Sequence, residues 1–91
     1  MSDQVALTGA DQVIRTGSAY LAGYTIRETA GAAAAVRIYD NASAASGVIL
    51  AAVSLPADGS VDVMYPSSLR ALHGVFVDVV SGTVEGSVRI G

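Results

Sequence analysis

Residues 75–90 read VFVDVVSGTVEGSVRI, and this stretch decides the class of fold. Valine or isoleucine recurs at alternate positions on both sides of a central Ser81-Gly82 pair. An apolar period of two predicts β-strands with one buried face. The Ser81-Gly82 pair predicts a two-residue hairpin connection, because glycine tolerates positive φ. If Val75, Val77 and Val79 face the core, Phe76 and Val80 lie outside with Asp78 between them; the opposite choice buries Asp78.

The same alternation occurs upstream, in residues 36–39 and 61–65. A longer strand is predicted over 19–29, with a kink or bulge at Gly23. Small and polar residues at 40–47 predict a loop, and Pro56-Ala57-Asp58-Gly59 predicts a turn. The spacing is that of an antiparallel meander or sandwich.

The first third of the chain is less regular. Residues 5–7 and 12–15 each fit a short strand, so residues 1–17 are predicted to form either an N-terminal arm or short edge strands. Residues 18–91 are predicted to form a β-sandwich domain. The sequence therefore predicts an all-β fold, a small antiparallel β-sandwich or barrel of about seven or eight strands.

One helical turn is predicted after Pro66. Ser67 or Ser68 is suited to cap a segment at 69–72, and Gly74 would end it.

Composition limits the classes of function. The chain has 91 residues, of which 52% are hydrophobic and 14% charged, with a formal net charge of −3 and no cysteine. Disordered chains are poorer in apolar residues, so a folded domain is expected. Five scattered arginines leave little to bind a phosphate backbone, and no apolar run reaches the ~20 residues of a membrane span. We expect neither nucleic acid nor a membrane as a partner.

Catalytic and metal-binding patterns are weak. His73 is the single histidine, and together with Ser67 or Ser68 and Asp78 it has the residue types of a catalytic triad. The sequence contains no Gly-x-Ser-x-Gly motif that would support such a triad. The carboxylates in residues 58–62 lack the remaining ligands of a calcium loop, and a turn followed by a strand explains them. The prediction is a protein that is not an enzyme and has no cofactor or metal site.

Four of the five aromatic residues are tyrosines, which are favoured at interfaces but also complete small cores. The two alternatives stay open. The residues predicted for a contact surface are the aromatic side chains and one arginine: Tyr20, Tyr24, Arg27, Tyr39, Tyr65 and Phe76.

Four blocks of sequence carry a resemblance: LAGYTIRETA at 21–30, VRIYD at 36–40, GSVDVMYP at 59–66 and VDVVSGTVEGSVRIG at 77–91. In their order and spacing they resemble small all-β structural proteins of tailed bacteriophages, which are encoded among head genes. Residues 1–17 are covered least. The resemblance implies a capsid decoration (cement) protein or a minor capsid protein, located in the virion after assembly in the host cytoplasm.

The sequence is compatible with two functions. The first is a virion structural protein that forms homo-oligomers, for example trimers. It would bind the major capsid protein and stabilise the head shell. The alternative is a receptor- or carbohydrate-binding module associated with a tail or fibre.

Overall fold

The computed structural model describes residues 3–91, and within that range it contains eight strands and no helix. The all-β prediction is therefore confirmed. No helix in the described part of the chain has the length and hydropathy needed to cross a membrane. The strands are β1 (Asp3–Ala6), β2 (Gln12–Thr16), β3 (Ala19–Glu28), β4 (Ala34–Asp40), β5 (Val48–Leu55), β6 (Ser60–Ala71), β7 (Gly74–Ser81) and β8 (Val84–Ile90).

The strands form two four-stranded antiparallel sheets, which we name sheet A and sheet B. Sheet A has the order β1-β8-β3-β6 and sheet B has the order β2-β7-β4-β5. The pairs β1–β8, β2–β7, β3–β6 and β4–β5 mean that the chain behaves like one long hairpin rolled into two layers. This is the strand order of a jelly roll, a double-sheet form of the β-sandwich.

The predicted hairpin at Ser81-Gly82 is wrong. β7 belongs to sheet B and β8 to sheet A, so the connection crosses between the sheets. Among the strands of residues 3–91, only β4 and β5 are both consecutive in the chain and neighbours in a sheet. The residues at both predicted turns do adopt the positive φ of a tight turn: φ is 82° at Gly82 and 58° at Asp58. Turn chemistry thus locates a reversal but does not say which sheet the next strand joins.

The predicted helical turn at 69–72 is also wrong, because β6 continues through Pro66 to Ala71. Leu69 and Ala71 lie opposite Leu21 and Ala19 of β3. Pairing with a neighbouring strand overrides the weak helix preference of a four-residue segment. Pro66 is tolerated because β6 is an edge strand.

The core lies between the sheets and consists mainly of small and branched side chains. Leu21, Ile26 and Ile38 are fully buried in it. Tyr24 also lies inside, with its ring centroid 6.3 Å from that of Tyr65 in an edge-to-face arrangement. The two sheets can approach closely because alanine and valine dominate the facing positions.

Residues 3–16 supply one edge strand to each sheet. β1 pairs with β8 in sheet A, and β2 pairs with β7 in sheet B. An ion pair between Asp3 and Arg15, 4.0 Å apart, joins the two edge strands.

Gly86, in the middle of β8, offers a sharp test of this packing. Its φ is 139°, and a Cβ at this position would overlap the carbonyl oxygen of Thr25. We expect Gly86→Ala to lower the free energy of unfolding by about 1–3 kcal/mol through backbone strain, with the overlap adding to that loss. Urea denaturation measures the change.

Gly17→Ala is the matched control, because Gly17 also has a positive φ, 86°, but has nothing within 4 Å of the added Cβ. An equal loss of stability in the two variants would contradict the close approach of β8 to β3.

Candidate functional site

The Glu28 carboxylate, at the end of β3, is fully buried and is held entirely by backbone amides. Its Oε1 accepts from the N–H groups of Gly31 (2.9 Å), Ala32 (3.2 Å) and Asp58 (2.9 Å), and its Oε2 accepts from that of Ala30 (2.6 Å). One side chain thus fixes both the β3–β4 loop and the turn between β5 and β6. Burial of a charge is tolerated where such hydrogen bonds satisfy it.

Asp40, at the end of β4, does the same at the opposite end of the sandwich. Its carboxylate accepts from the N–H groups of Leu72 (3.1 Å), His73 (2.8 Å) and Gly74 (3.3 Å), which fixes the connection between β6 and β7. The His73 ring is exposed, and its Nδ1 lies 3.6 Å from Asp40 Oδ1. The acidic neighbour of His73 is therefore Asp40 and not Asp78, which lies opposite Arg37 in the pair of β4 and β7.

Both carboxyls have lowered pKa values. The Asp58 amide is the largest cause at Glu28, with the amides of Ala30, Ala32 and Gly31 adding to it, while burial opposes them. At Asp40 the His73 amide is the largest cause of the lowered pKa. Both groups therefore stay ionised at neutral pH and act as loop anchors.

The outer face of sheet A is largely polar. The Arg89 guanidinium donates to Thr25 Oγ1 (3.1 Å), to Asp62 Oδ1 (3.0 Å) and to the Val63 carbonyl oxygen (3.0 Å). The Arg89 side chain crosses β3 at Gly23, where an added Cβ would lie 3.1 Å from Arg89 Nη2. The register shift between Leu21 and Gly23 confirms the bulge predicted there.

The outer face of sheet B has a different character. Val13, Phe76, Tyr39 and Ile49 lie opposite one another across β2, β7, β4 and β5, and we name this set the apolar row. Val13, Phe76 and Tyr39 each lie next to core residues in their strands, which places them on the side away from sheet A. Ile49 reaches the same face through the register shift at Leu50, which puts it opposite Tyr39. The centre of the row is covered, with Phe76 and Tyr39 each 8% exposed, whereas Val13 and Ile49 at its ends are 43% and 47% exposed.

A charged cluster lies beside the apolar row on the same face. Arg37 of β4 is directly opposite Asp78 of β7. Asp11 Oδ1 accepts from the Val79 N–H at 2.8 Å, which brings a second carboxylate close. Burial is the largest cause that raises the pKa of Asp78, followed by the charge of Asp11 and a hydrogen bond to it, while Arg37 opposes the shift.

The six residues predicted for a contact surface fall in three places. Tyr24 and Tyr65 pack between the sheets, and burial together with Tyr65 raises the pKa of Tyr24 to about 12. Tyr20 and Arg27 are exposed on the outer face of sheet A. Tyr39 and Phe76 form the centre of the apolar row on sheet B.

Sequence reasoning missed Glu28 and Asp40 as the anchors of the loops. The available signal was an acidic residue at the end of a predicted strand, directly before a run of small residues. Their amide partners are up to 34 residues away in the chain, so the pairing itself has no local pattern.

No pocket that could enclose a small molecule is present on the surface formed by residues 3–91. That part of the chain also holds no group of three or more acidic or histidine side chains placed to bind one metal ion. Comparison with known protein families, with curated proteins and with solved structures finds no match to this chain.

Replacement of Glu28 by its neutral isostere tests the loop anchor. We expect Glu28→Gln to lower the melting temperature at pH 7 far more than Glu85→Gln, because Glu85 is exposed on β8. The folded-state pKa of Glu28 is below its ordinary value of 4.5, so its stabilisation is complete above that pH and is lost as pH falls through the folded-state pKa.

Thermal unfolding of the natural chain and both variants from pH 7 to pH 3 measures this effect. The acid loss of stability should be smaller in Glu28→Gln than in Glu85→Gln. Equal acid responses in the two variants would contradict the role of Glu28.

Asp78 gives a prediction of opposite sign. Its folded-state pKa is raised, so ionisation above that pKa destabilises the native state. We expect Asp78→Asn to raise the melting temperature at pH 7, with the gain vanishing below the ordinary value of 3.8. Asp62→Asn is the control, because Thr25 and then Arg89 lower the pKa of Asp62 and the variant should lose stability at pH 7. A loss in both variants would contradict the electrostatic strain at Asp78.

Proposed function

We propose that this chain is a virion structural protein of a tailed bacteriophage, a capsid decoration or minor capsid protein that binds the head shell and associates with its own copies. The observation that carries the proposal is the difference between the two outer faces of the sandwich. The apolar row crosses all four strands of sheet B, whereas the Arg89 network and the opposed Arg27 and Glu85 mark sheet A as polar.

A two-faced sandwich suits a protein that lies with one side on a surface and the other in water. Val13, Ile49 and Val80 expose 43–48% of their area on the outer face of sheet B. Sheet A also exposes Tyr20 and Met64, but these are separated by the polar side chains of that face. Exposed apolar groups rimmed by charge are typical of protein contacts.

The loop anchors support the same proposal. Glu28 and Asp40 fix three of the connections between strands of the described residues, so these loops are already ordered before any partner binds. Rigid partners lose little conformational entropy when they bind. A repeating shell also offers many identical sites, so that a modest contact per copy is enough if copies are linked.

The jelly-roll fold occurs in viral capsid domains and also in lectin domains. Fold alone therefore does not separate the shell-binding role from a carbohydrate-binding role. The shell-binding role is favoured because exposed apolar side chains lie at the ends of the apolar row, and because residues 3–91 form no pocket that could enclose a small molecule.

The test uses heads of the phage that encodes this chain, prepared without the protein. We expect the purified natural chain to sediment with these heads and Val13→Gln to bind at least about tenfold more weakly, equivalent to about 1.4 kcal/mol. Sedimentation at increasing protein concentration gives both affinities.

Met64→Gln is the matched control, because Met64 is 76% exposed on the outer face of sheet A. It should bind as the natural chain does. Failure of the natural chain to bind heads would overturn the proposal, and glycan binding by the same preparation would point to the carbohydrate alternative. A loss of binding in Met64→Gln but not in Val13→Gln would assign the contact to sheet A.

A further inference from the structure

β5 is an open edge of sheet B. Within residues 3–91 its backbone pairs only with β4, so the N–H and C=O groups on its other side have no partner. The strand reads VILAAVSL and contains no charged residue and no proline. At its start Val48 and Ile49 are 65% and 47% exposed. A long, uncharged, apolar edge is a template for pairing with another strand.

The other three edges carry features that oppose such pairing. β1 has only four residues and carries Asp3, while β2 has five residues, a register shift and Arg15. β6 is long, but it contains Pro66 together with charged residues. Charges, proline, bulges and short length are the usual protections of edge strands. β5 has one irregularity, at Leu50, and residues 51–55 continue in unbroken register with β4.

We propose that β5 pairs with β5 of a second copy of this chain, in antiparallel orientation about a two-fold axis, so that two sheets B become one eight-stranded sheet. An antiparallel strand edge is complementary to itself. Because β5 has no charge, its meeting with an identical strand brings no like charges together. A copy paired on β1, β2 or β6 would instead bring charged side chains into the contact, and on β6 also Pro66.

The register of the pair is limited by the two faces of the sheet. Ala51 and Val53 face the core, while Ala52 and Ser54 are exposed. Side chains directly opposite each other lie on the same face, so the axis must pass through a residue, and not between two residues, to keep both faces continuous. An axis at Ala52 or Val53 meets this condition and keeps most of the regular segment 51–55 of each copy paired. In either register the side chains nearest the axis are small, which allows close approach of the strands.

The size of the contact predicts its strength. Eight residues of strand span about 26 Å, and the thinnest dimension of the molecule is 18 Å. The edge contact is therefore roughly 470 Å² per copy, or about 900 Å² in total, which is below the 1,200–2,000 Å² of stable complexes. We expect a reversible dimer whose population depends on concentration.

The test is sedimentation equilibrium of the purified chain from about 1 µM to 1 mM. The natural chain should shift from the 9.1 kDa monomer toward twice that mass. Ala52→Lys should remain monomeric, because the two added charges lie directly opposite or diagonal to each other across the axis. Ser54→Lys should weaken the dimer as well, and it avoids Arg37, which lies opposite Ala52 within the monomer.

Two controls keep the effect specific. Ala52→Thr adds size without charge and should keep the dimer, and Ser68→Lys adds the same charge to the β6 edge and should also keep it. Far-ultraviolet circular dichroism and the melting temperature show whether each variant is folded.

Amide hydrogen exchange provides a second measurement. Exchange in β5 should slow as the concentration of the natural chain rises, whereas exchange in β6 should not change. A monomer at 1 mM would overturn the proposal, and so would a dimer that Val13→Lys disrupts while Ala52→Lys and Ser54→Lys do not. Head binding is not needed for any of these results, so failure of the virion role and failure of edge pairing are separate outcomes.

Discussion

The buried carboxylate of Glu28 is the interaction on which the architecture depends most. Of the seven connections between the eight strands of the described chain, six cross from one sheet to the other and cannot be stabilised by the hydrogen bonds of a tight hairpin. Glu28 satisfies amides in two of these crossings, and the Thr29 N–H donates to Thr83 in a third. Asp40 supplies the equivalent contacts at the other end. Because a buried charge is costly without its hydrogen bonds, each carboxylate strongly favours one arrangement of the surrounding loops.

The strands could be predicted from the sequence, but most of their partners could not. Alternation of valine with polar residues identified β7 and β8, and it offered the core-facing choice of Val75 and Val77 that the structure has. The same residues gave no information on whether β8 continues the sheet of β7 or crosses to the other one. The prediction of a helical turn at 69–72 is wrong because the residues that hold this segment extended, in β3, are about fifty positions earlier in the chain.

The candidate surfaces show the same division between local and long-range information. A period of two is sufficient to place Phe76 on the face opposite Val75, but the apolar row exists only because β2, β7, β4 and β5 bring single residues into register. The tyrosines divide between core and surface for a comparable reason. Tyr24 follows the Gly23 bulge, which shifts the alternation by one residue and turns its ring inward against Tyr65.

The proposed edge pairing and the proposed shell contact reinforce each other geometrically. With the axis at Ala52 or Val53, Ile49 of one copy and its equivalent in the other are offset along the strands by six to eight residues, or about 20–26 Å. The dimer would therefore present two separate apolar rows on one continuous face of eight strands. Two linked contacts bind a repeating lattice far more tightly than one, provided that the lattice spacing matches the offset. The edge contact alone is smaller than the contacts of stable complexes, so a second contact through the outer face of sheet B would supply the strength that the edge lacks.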